Sequence, residues 1–152
     1  MMENPTIIGF VCDHCGDMMN EKAKATTQNG TRIFPVYCAA NFLPGTILDA
    51  FTKGADLVFI LACGEHECHY FDGTGKIKRN VENLKVQISD LGLEPERLVL
   101  LIADPFDENP LARAMEECKA LVEPLSPNPY KSDIHGIVEA NGVKANGNGS
   151  TK

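Results

Sequence analysis

Four nearly continuous stretches of apolar residues, each about the length of a β-strand, recur along the chain. They cover residues 6–11, 32–37, 56–62 and 97–103. Their side chains are mainly aliphatic or β-branched and show almost no polar alternation, which is typical of strands covered on both faces in a parallel sheet. Pro35 lies in the second stretch and cannot donate a ladder hydrogen bond, so we expect that strand at a sheet edge.

Apolar residues at helical spacing separate these strands. A short helix is predicted to end at Gly54, with an apolar face that comprises Leu43, Ile47, Ala50 and Phe51. A longer helix is predicted to end at Gly92, with one face that comprises Ile77, Val81, Leu84, Ile88 and Leu91. A last helix is predicted to begin with Asn109 as its cap and Pro110 at its first position, and to bury Leu111, Met115, Cys118 and Val122. The first connection, residues 17–28, is also predicted to be helical.

The alternation of strands and helices determines the predicted fold class. It favours an α/β domain with an open parallel sheet of about four strands and helical crossovers, of the flavodoxin-like or half-Rossmann type. Residues 1–123 are assigned to this domain. From residue 124 onward the chain is rich in Pro, Asn, Gly and Ser. Residues 124–152 are therefore predicted to be an extended or disordered tail, and they are a candidate for docking onto a partner.

The charge balance and the lack of long apolar runs argue against several functions. The 152-residue chain has 14 basic and 21 acidic residues, and its formal charge of -7 would repel nucleic-acid phosphates. No apolar run approaches the roughly 20 residues of a membrane-spanning helix, and the first residues lack the pattern of a secretory signal. We therefore expect a cytoplasmic protein that has no membrane span and does not bind nucleic acid.

Five of the six cysteines follow predicted strands. Cys12 and Cys15 follow the first strand, Cys38 follows the second, and the last two, Cys63 and Cys68, follow the third. Because ligands of open α/β sheets bind outside the carboxyl ends of the strands, we expect these thiols to converge on one site. The sixth, Cys118, falls on the apolar face of the last helix and is interpreted as a core residue.

Three hypotheses explain clustered thiols in a reducing compartment. The thiolates could bind an iron-sulfur cluster, or a structural zinc ion that stabilises an interaction module. Alternatively, Cys12 and Cys15 could exchange between dithiol and disulfide as a Cys-x-x-Cys redox pair. The additional thiols favour ligation over exchange, and a domain with an ample core gains little from structural zinc. Iron-sulfur ligation is therefore the favoured hypothesis.

Histidines accompany the cysteines and are predicted to lie beside the bound group. His14 follows Cys12 by two residues and His66 follows Cys63 by three, which formally matches the two halves of a Rieske motif. The two halves fall on separate crossovers, so we expect thiolate ligation. His14, His66 and His69 are then neighbours that tune the potential by hydrogen bonding.

The segment that precedes the long helix contains glycines and basic residues. Residues 73–76, Gly-Thr-Gly-Lys, lack the spacing of a nucleotide-binding loop and are predicted to form a turn that caps the helix. The helix also carries the one basic face of an acidic chain, formed by Lys76, Lys78, Arg79 and Lys85. Such a face is usually solvated, although it could also attract an acidic partner.

The cysteine motifs together resemble a known family of electron carriers. They are Cys12-Asp13-His14-Cys15, Tyr37-Cys38 and the segment Cys63–Tyr70, which ends in Cys68-His69-Tyr70. The basic residues of the long helix and the segment Leu91–Leu98 extend the similarity over most of residues 6–104. The sequence is similar to the iron-sulfur delta subunit of methyl-viologen-reducing hydrogenase.

This resemblance implies a subunit that carries one 2Fe-2S cluster and is not a catalyst by itself. It implies that electrons pass between a hydrogenase or formate dehydrogenase module and the flavin-bearing subunit of heterodisulfide reductase. The cysteines that match the family are Cys12, Cys15, Cys38, Cys63 and Cys68. Since a 2Fe-2S cluster takes four thiolates, the resemblance implies that one of the five lies beside the cluster without binding it.

Overall fold

A central β-sheet organises the chain in a computed structural model that describes residues 4–13, 27–28, 30–41, 44–66, 68, 71–104 and 106–131. The described residues form the strands β1 (Ile7–Cys12), β2 (Thr27–Gln28), β3 (Thr31–Val36), β4 (Leu57–Ala62) and β5 (Leu98–Ile102). Their order in the sheet is β2-β3-β1-β4-β5. The four longer strands are parallel, and β2 runs antiparallel to β3. The predicted open parallel α/β sheet is confirmed.

The strand order separates the two fold types that the sequence left open. Among the four parallel strands, the first lies between the second and the third, as in the flavodoxin-like order and unlike the Rossmann order. The chain that leaves β1 forms β3, next to one edge of β1. The chain that leaves β3 then crosses over β1 and forms β4, next to its other edge. The crevice between β1 and β4 is therefore the switch point at which ligands bind in this architecture.

Burial along the strands follows the apolar pattern of the sequence. All six residues of β4 are buried, as expected for the strand inside the sheet with the longest apolar run. β3 lies next to the short β2, which pairs only with Thr31 and Arg32. The outer side of β3 at Pro35 therefore has no strand partner among the described residues, which agrees with the missing N–H donor of proline.

Three α-helices in the described part of the chain cover the sheet. They are α1 (Pro44–Thr52), α2 (Gly73–Asp90) and α3 (Pro110–Val122). Each corresponds to a predicted helix. The Asn109 side chain accepts a hydrogen bond from the Ala112 N–H (3.1 Å), so its predicted role as the cap of α3 is confirmed. None of these helices is both long and apolar enough to cross a membrane.

Two local predictions have a different outcome. Residues 73–76 were expected to form a turn, but they form the first turn of α2. Of the first connection, only Thr27 and Gln28 lie within the described residues, and they form a strand where a helix was predicted. Residues 14–26 lie outside the described residues.

Asn128 connects the segment after α3 to the amino ends of the central strands. Its side chain is 2% exposed. The amide nitrogen donates to the carbonyl oxygens of Phe51 (2.8 Å) and Ala55 (2.6 Å), and the backbone N–H donates to Oδ1 of Asp56 (2.9 Å). Because buried polar groups are stable only when they are hydrogen-bonded, these contacts fix the segment against the domain.

Arg97 also joins the segment after α3 to the start of β4. It is fully buried, and it lies in the 3-10 turn Pro95–Arg97 that leads into β5. Its guanidinium group donates to the carbonyl oxygens of Asp56 (2.9 Å) and Ser126 (2.6 Å) and to the carboxylate of Glu94 (2.6 Å). A buried charge is tolerated only with such partners.

The described part of the predicted tail is held by side-chain contacts. Lys131 forms an ion pair with Asp56 (2.6 Å), and the Tyr130 hydroxyl donates to the carbonyl oxygen of Leu91 (2.9 Å). Residues 132–152 lie outside the described residues. The predicted boundary at residue 124, and a docking role for the tail, stay predictions.

Replacing Glu94 with glutamine is expected to reduce the loss of stability in acid. The hydrogen bond from Arg97 lowers the pKa of Glu94 from its ordinary value of 4.5. A lowered folded-state pKa contributes stability above the unfolded-state pKa, and this contribution is lost as the pH falls through the folded-state pKa. Urea unfolding at about pH 7 and about pH 3 should show a smaller difference for Glu94→Gln than for the wild type. An equal difference would contradict the assignment.

Candidate metal centre

The first pair of thiols lies at the switch point of the sheet. Cys12 is the last residue of β1, and Cys63 directly follows β4, the neighbouring strand. Their Sγ atoms are 3.7 Å apart, and the two residues are only 4% and 9% exposed. The parallel register brings both strand ends to the same edge, so the two thiols meet without any special loop geometry.

The second pair of thiols contacts the start of α2. Cys38 follows β3 and is buried, whereas Cys68 is half-buried in the connection between β4 and α2. Their Sγ atoms lie 3.4 Å (Cys38) and 2.7 Å (Cys68) from the position that a Cβ atom on Gly73 would occupy. The missing side chain of Gly73 therefore creates the space that both sulfur atoms use.

Thr74 links the two pairs. Its buried hydroxyl donates to the carbonyl oxygen of Cys63 (2.7 Å), while its neighbour Gly73 contacts Cys38 and Cys68. The 18-residue helix α2 therefore begins among the thiols. The positive end of its dipole stabilises negative charge, so this position favours an anionic bound group.

The donor set of this site fits a metal that binds sulfur. Among the cysteines that the structure describes, none is in a disulfide. Cys15, the fifth predicted ligand, lies outside the described residues. Within the residues described, no three Cys, His, Asp or Glu side chains are close enough together to hold one metal ion. The site described is thus two pairs of thiols at one helix start, and thiolates are the ligands preferred by iron-sulfur clusters and zinc.

Of the predicted histidine neighbours, the structure describes His66. It is exposed, in the turn between Cys63 and Cys68. His14 and His69 lie outside the described residues. The proposed tuning role of these three histidines therefore stays a prediction.

Ion pairs partly neutralise the predicted basic face of α2. Lys78 pairs with Glu65, which lowers the pKa of Glu65, and Arg79 pairs with Asp72 (3.3 Å). These pairs fix the loop before α2 to the helix. A groove of about 610 Å³ runs along the same helix against β5, and Lys85 lies on its wall.

The sequence interpretation missed the roles of Gly73 and Thr74. It assigned both residues to a capping turn because their spacing does not match a nucleotide-binding loop. The only signal was their position, five and six residues after Cys68, where a small residue and a hydroxyl can approach thiols. Cys118 behaves as predicted: it is buried in α3, and burial raises the pKa of its thiol to about 12.

Comparison with known proteins finds relatives that cover most of the chain. A profile of the methyl-viologen-reducing hydrogenase delta subunit matches residues 7–126. The vhc iron-sulfur subunit of the F420-non-reducing hydrogenase of Methanococcus voltae is 38% identical over 144 residues, which cover 91% of this chain and 100% of the relative. The corresponding vhu iron-sulfur subunit of Methanococcus maripaludis is 31% identical over 134 residues, which cover 86% of this chain and 100% of the relative.

A relative of a second kind is much longer. It is HdrA of the ferredoxin/F420H2-dependent CoB-CoM heterodisulfide reductase of Methanosarcina acetivorans, which is 27% identical over 126 residues. The match covers 81% of this chain but 16% of HdrA. The resemblance inferred from the cysteine motifs is confirmed, and the chain belongs to the family of the delta subunit of methyl-viologen-reducing hydrogenase.

Proposed function

We propose that this chain is an electron-transfer subunit that binds a 2Fe-2S cluster at the carboxyl edge of its sheet. The observation that carries this proposal is the convergence of two thiol pairs at the N-terminus of α2. The relatives named iron-sulfur subunits of hydrogenases support a cluster rather than zinc. When bound, the cluster would supply one-electron transfer, and the protein would set its potential by burial and hydrogen bonding.

The pairing of the thiols supports a two-iron cluster. Each iron of such a cluster takes two thiolates from the protein. A tetrahedral metal with sulfur ligands at about 2.3 Å places the sulfurs about 3.8 Å apart. The 3.7 Å between Cys12 and Cys63 fits one such pair. We assign Cys38 and Cys68 to the second iron, which leaves Cys15 as the fifth, neighbouring thiol.

The partners follow from the two kinds of relative. One kind is named as part of a hydrogenase, and the other, HdrA of a heterodisulfide reductase, contains a related domain within a longer chain. A domain that is a separate subunit in one protein and part of a longer chain in another is expected to work beside that longer chain. We therefore propose that the subunit carries electrons between a hydrogenase and HdrA.

Replacing Gly73 with alanine is expected to lower the amount of bound iron by roughly tenfold, in the range found for residues that support metal ligands. The added methyl group would overlap with Sγ of Cys68 and press on Sγ of Cys38. Gly45→Ala is the matched control, because a methyl group at this position of α1 meets no described residue within 4 Å apart from its chain neighbours and the backbone of its own helix. Iron analysis of both variants, purified without oxygen, measures the effect. Equal iron in the two variants would refute the assigned role of Gly73.

The relay itself can be tested in a reconstituted system. Hydrogen and a hydrogenase of the same organism should bleach the visible absorption of the subunit, and oxidised HdrA should restore it. A formate dehydrogenase in place of the hydrogenase identifies the electron source. If neither enzyme reduces the subunit, or if purified protein contains zinc and no sulfide, the proposed function is wrong.

A further inference from the structure

The edge of the sheet that holds the thiols also displays aromatic side chains to solvent. In the part of the chain that the structure describes, the three most exposed large apolar side chains are Phe71 (94%), Phe106 (93%) and Tyr37 (71%). Each follows the carboxyl end of a different strand: Tyr37 follows β3, Phe71 follows β4 and Phe106 follows β5. We call these three residues the aromatic rim.

We propose that the aromatic rim is the docking surface for a redox partner whose face has an apolar centre and a basic margin. This inference rests on the proposed function, since a cluster at this edge exchanges electrons with whatever protein covers it. Tyr37 directly precedes Cys38, and the N–H of Phe71 donates to the carbonyl oxygen of Cys68 (3.2 Å). A partner that contacts the rim would therefore lie next to the thiols.

The backbone presents Phe71 outward at an energetic cost. Its φ of 63° lies in the left-handed region, which is unfavourable for a bulky side chain and is normally occupied by Gly or Asn. Folding into the core does not explain this conformation, because the ring is almost completely exposed. Unfavourable backbone conformations of this kind concentrate at functional sites.

Hydrogen bonds to Asp104 hold the backbone on both sides of the Phe106 ring. Its N–H donates to the carboxylate of Asp104 (2.9 Å), and the N–H of Asp107 donates to the Asp104 carbonyl oxygen (3.0 Å). Asp107 in turn pairs with Arg113 of α3 (2.6 Å). An aromatic ring whose backbone is held by hydrogen bonds loses little conformational entropy when a partner buries it, and such rings are frequent anchors of interfaces.

The charges around the rim indicate what kind of partner it fits. The acidic residues in the described segments that follow the strands at this edge are Asp13, Glu65, Asp72, Asp104, Asp107 and Glu108. Three of them are paired with basic residues of the helices, namely Glu65, Asp72 and Asp107. Among the described residues, the other three form no ion pair, so the margin stays net negative even when the exposed Lys76 is counted. A complementary partner has basic residues around an apolar centre.

We assign this face to HdrA, because a related domain is part of the longer HdrA chain of Methanosarcina acetivorans. HdrA from the same organism is the probe. The full-length chain is purified without oxygen as the wild type, as the Phe71→Ala/Phe106→Ala double variant, and as Val86→Ala. Val86 is the control because it is 63% exposed on α2, outside the aromatic rim. We expect the double variant to bind HdrA at least about tenfold more weakly, the control to bind as the wild type does, and wild-type binding to weaken as salt increases.

Iron and sulfide are measured in each sample, which separates this inference from the proposed function. Unchanged binding by an iron-loaded double variant would overturn the docking proposal alone. Wild-type protein that contains no iron yet binds through the rim would refute the cluster and leave the docking surface intact. Two outcomes would overturn the assignment of this face to HdrA. In the first, the double variant loses binding to the hydrogenase but still binds HdrA. In the second, sedimentation shows that the wild type is a dimer and the double variant is a monomer.

Discussion

Replacing Cys63 with serine is expected to reduce the iron bound by the purified protein by more than about tenfold. Residues that only support metal ligands already change metal affinity by about 10–100-fold, and loss of a ligand itself should cost more. Cys63 contacts both Cys12 and the first turn of α2. Its Sγ atom lies 3.7 Å from Cys12, and its carbonyl oxygen accepts the hydroxyl of Thr74 at the start of α2. A serine retains the backbone contact and removes only the sulfur, so the change isolates ligation from folding.

Cys118→Ala is the matched control for this change. Cys118 is buried, as Cys63 is, but it lies in α3, and burial raises the pKa of its thiol to about 12. It is therefore expected to stay a neutral thiol in the core and to have no effect on the cluster. If iron falls equally in Cys63→Ser and Cys118→Ala, the loss reflects unfolding. If iron is retained in Cys63→Ser, the assigned ligand set is wrong.

Replacing Asp56 with alanine is expected to destabilise the fold by about 2–5 kcal/mol, because each buried donor left without its acceptor costs about 1–3 kcal/mol. Asp56 is fully buried at the amino end of β4. Its carboxylate accepts hydrogen bonds from the N–H of Thr6 (2.7 Å), the N–H of Asn128 (2.9 Å) and Nζ of Lys131 (2.6 Å). The substitution leaves all three donors without this acceptor.

Urea unfolding at neutral pH measures this effect. Glu116→Ala is the control, because Glu116 is exposed on α3, and its removal should change the unfolding free energy by less than about 0.5 kcal/mol. A loss below about 1 kcal/mol for Asp56→Ala would show that the segment after α3 contributes little to stability. Because Asp56 lies at the edge opposite to the thiols, the folded fraction of this variant should still bind iron.

Much of the fold could be predicted because the strong local signals agree with one another. The uninterrupted apolar run at residues 57–62 is typical of a strand covered on both faces, and β4 is such a strand. The regular spacing from Ile77 to Ile88 predicts the buried face of α2, and the Asn109-Pro110 pair marks the start of α3. Parallel strands then bring Cys12 and Cys63 to one edge.

The remaining features depend on contacts between residues that are far apart in sequence. The flavodoxin-like strand order follows from which strands pair, and local apolar patterns do not encode it. Arg97 and Asn128 look like surface residues in the sequence, yet both are buried because Asp56 and backbone carbonyls satisfy them. The contact of Gly73 with two sulfur atoms is also a property of the folded chain alone.

The central claim is that the thiols at the carboxyl edge hold a redox-active 2Fe-2S cluster, and the composition of protein purified without oxygen tests it most directly. We expect about two irons and two acid-labile sulfides per chain, with visible absorption that bleaches on reduction and a paramagnetic signal from the reduced cluster. Zinc without sulfide, and no absorption that responds to reduction, would contradict it.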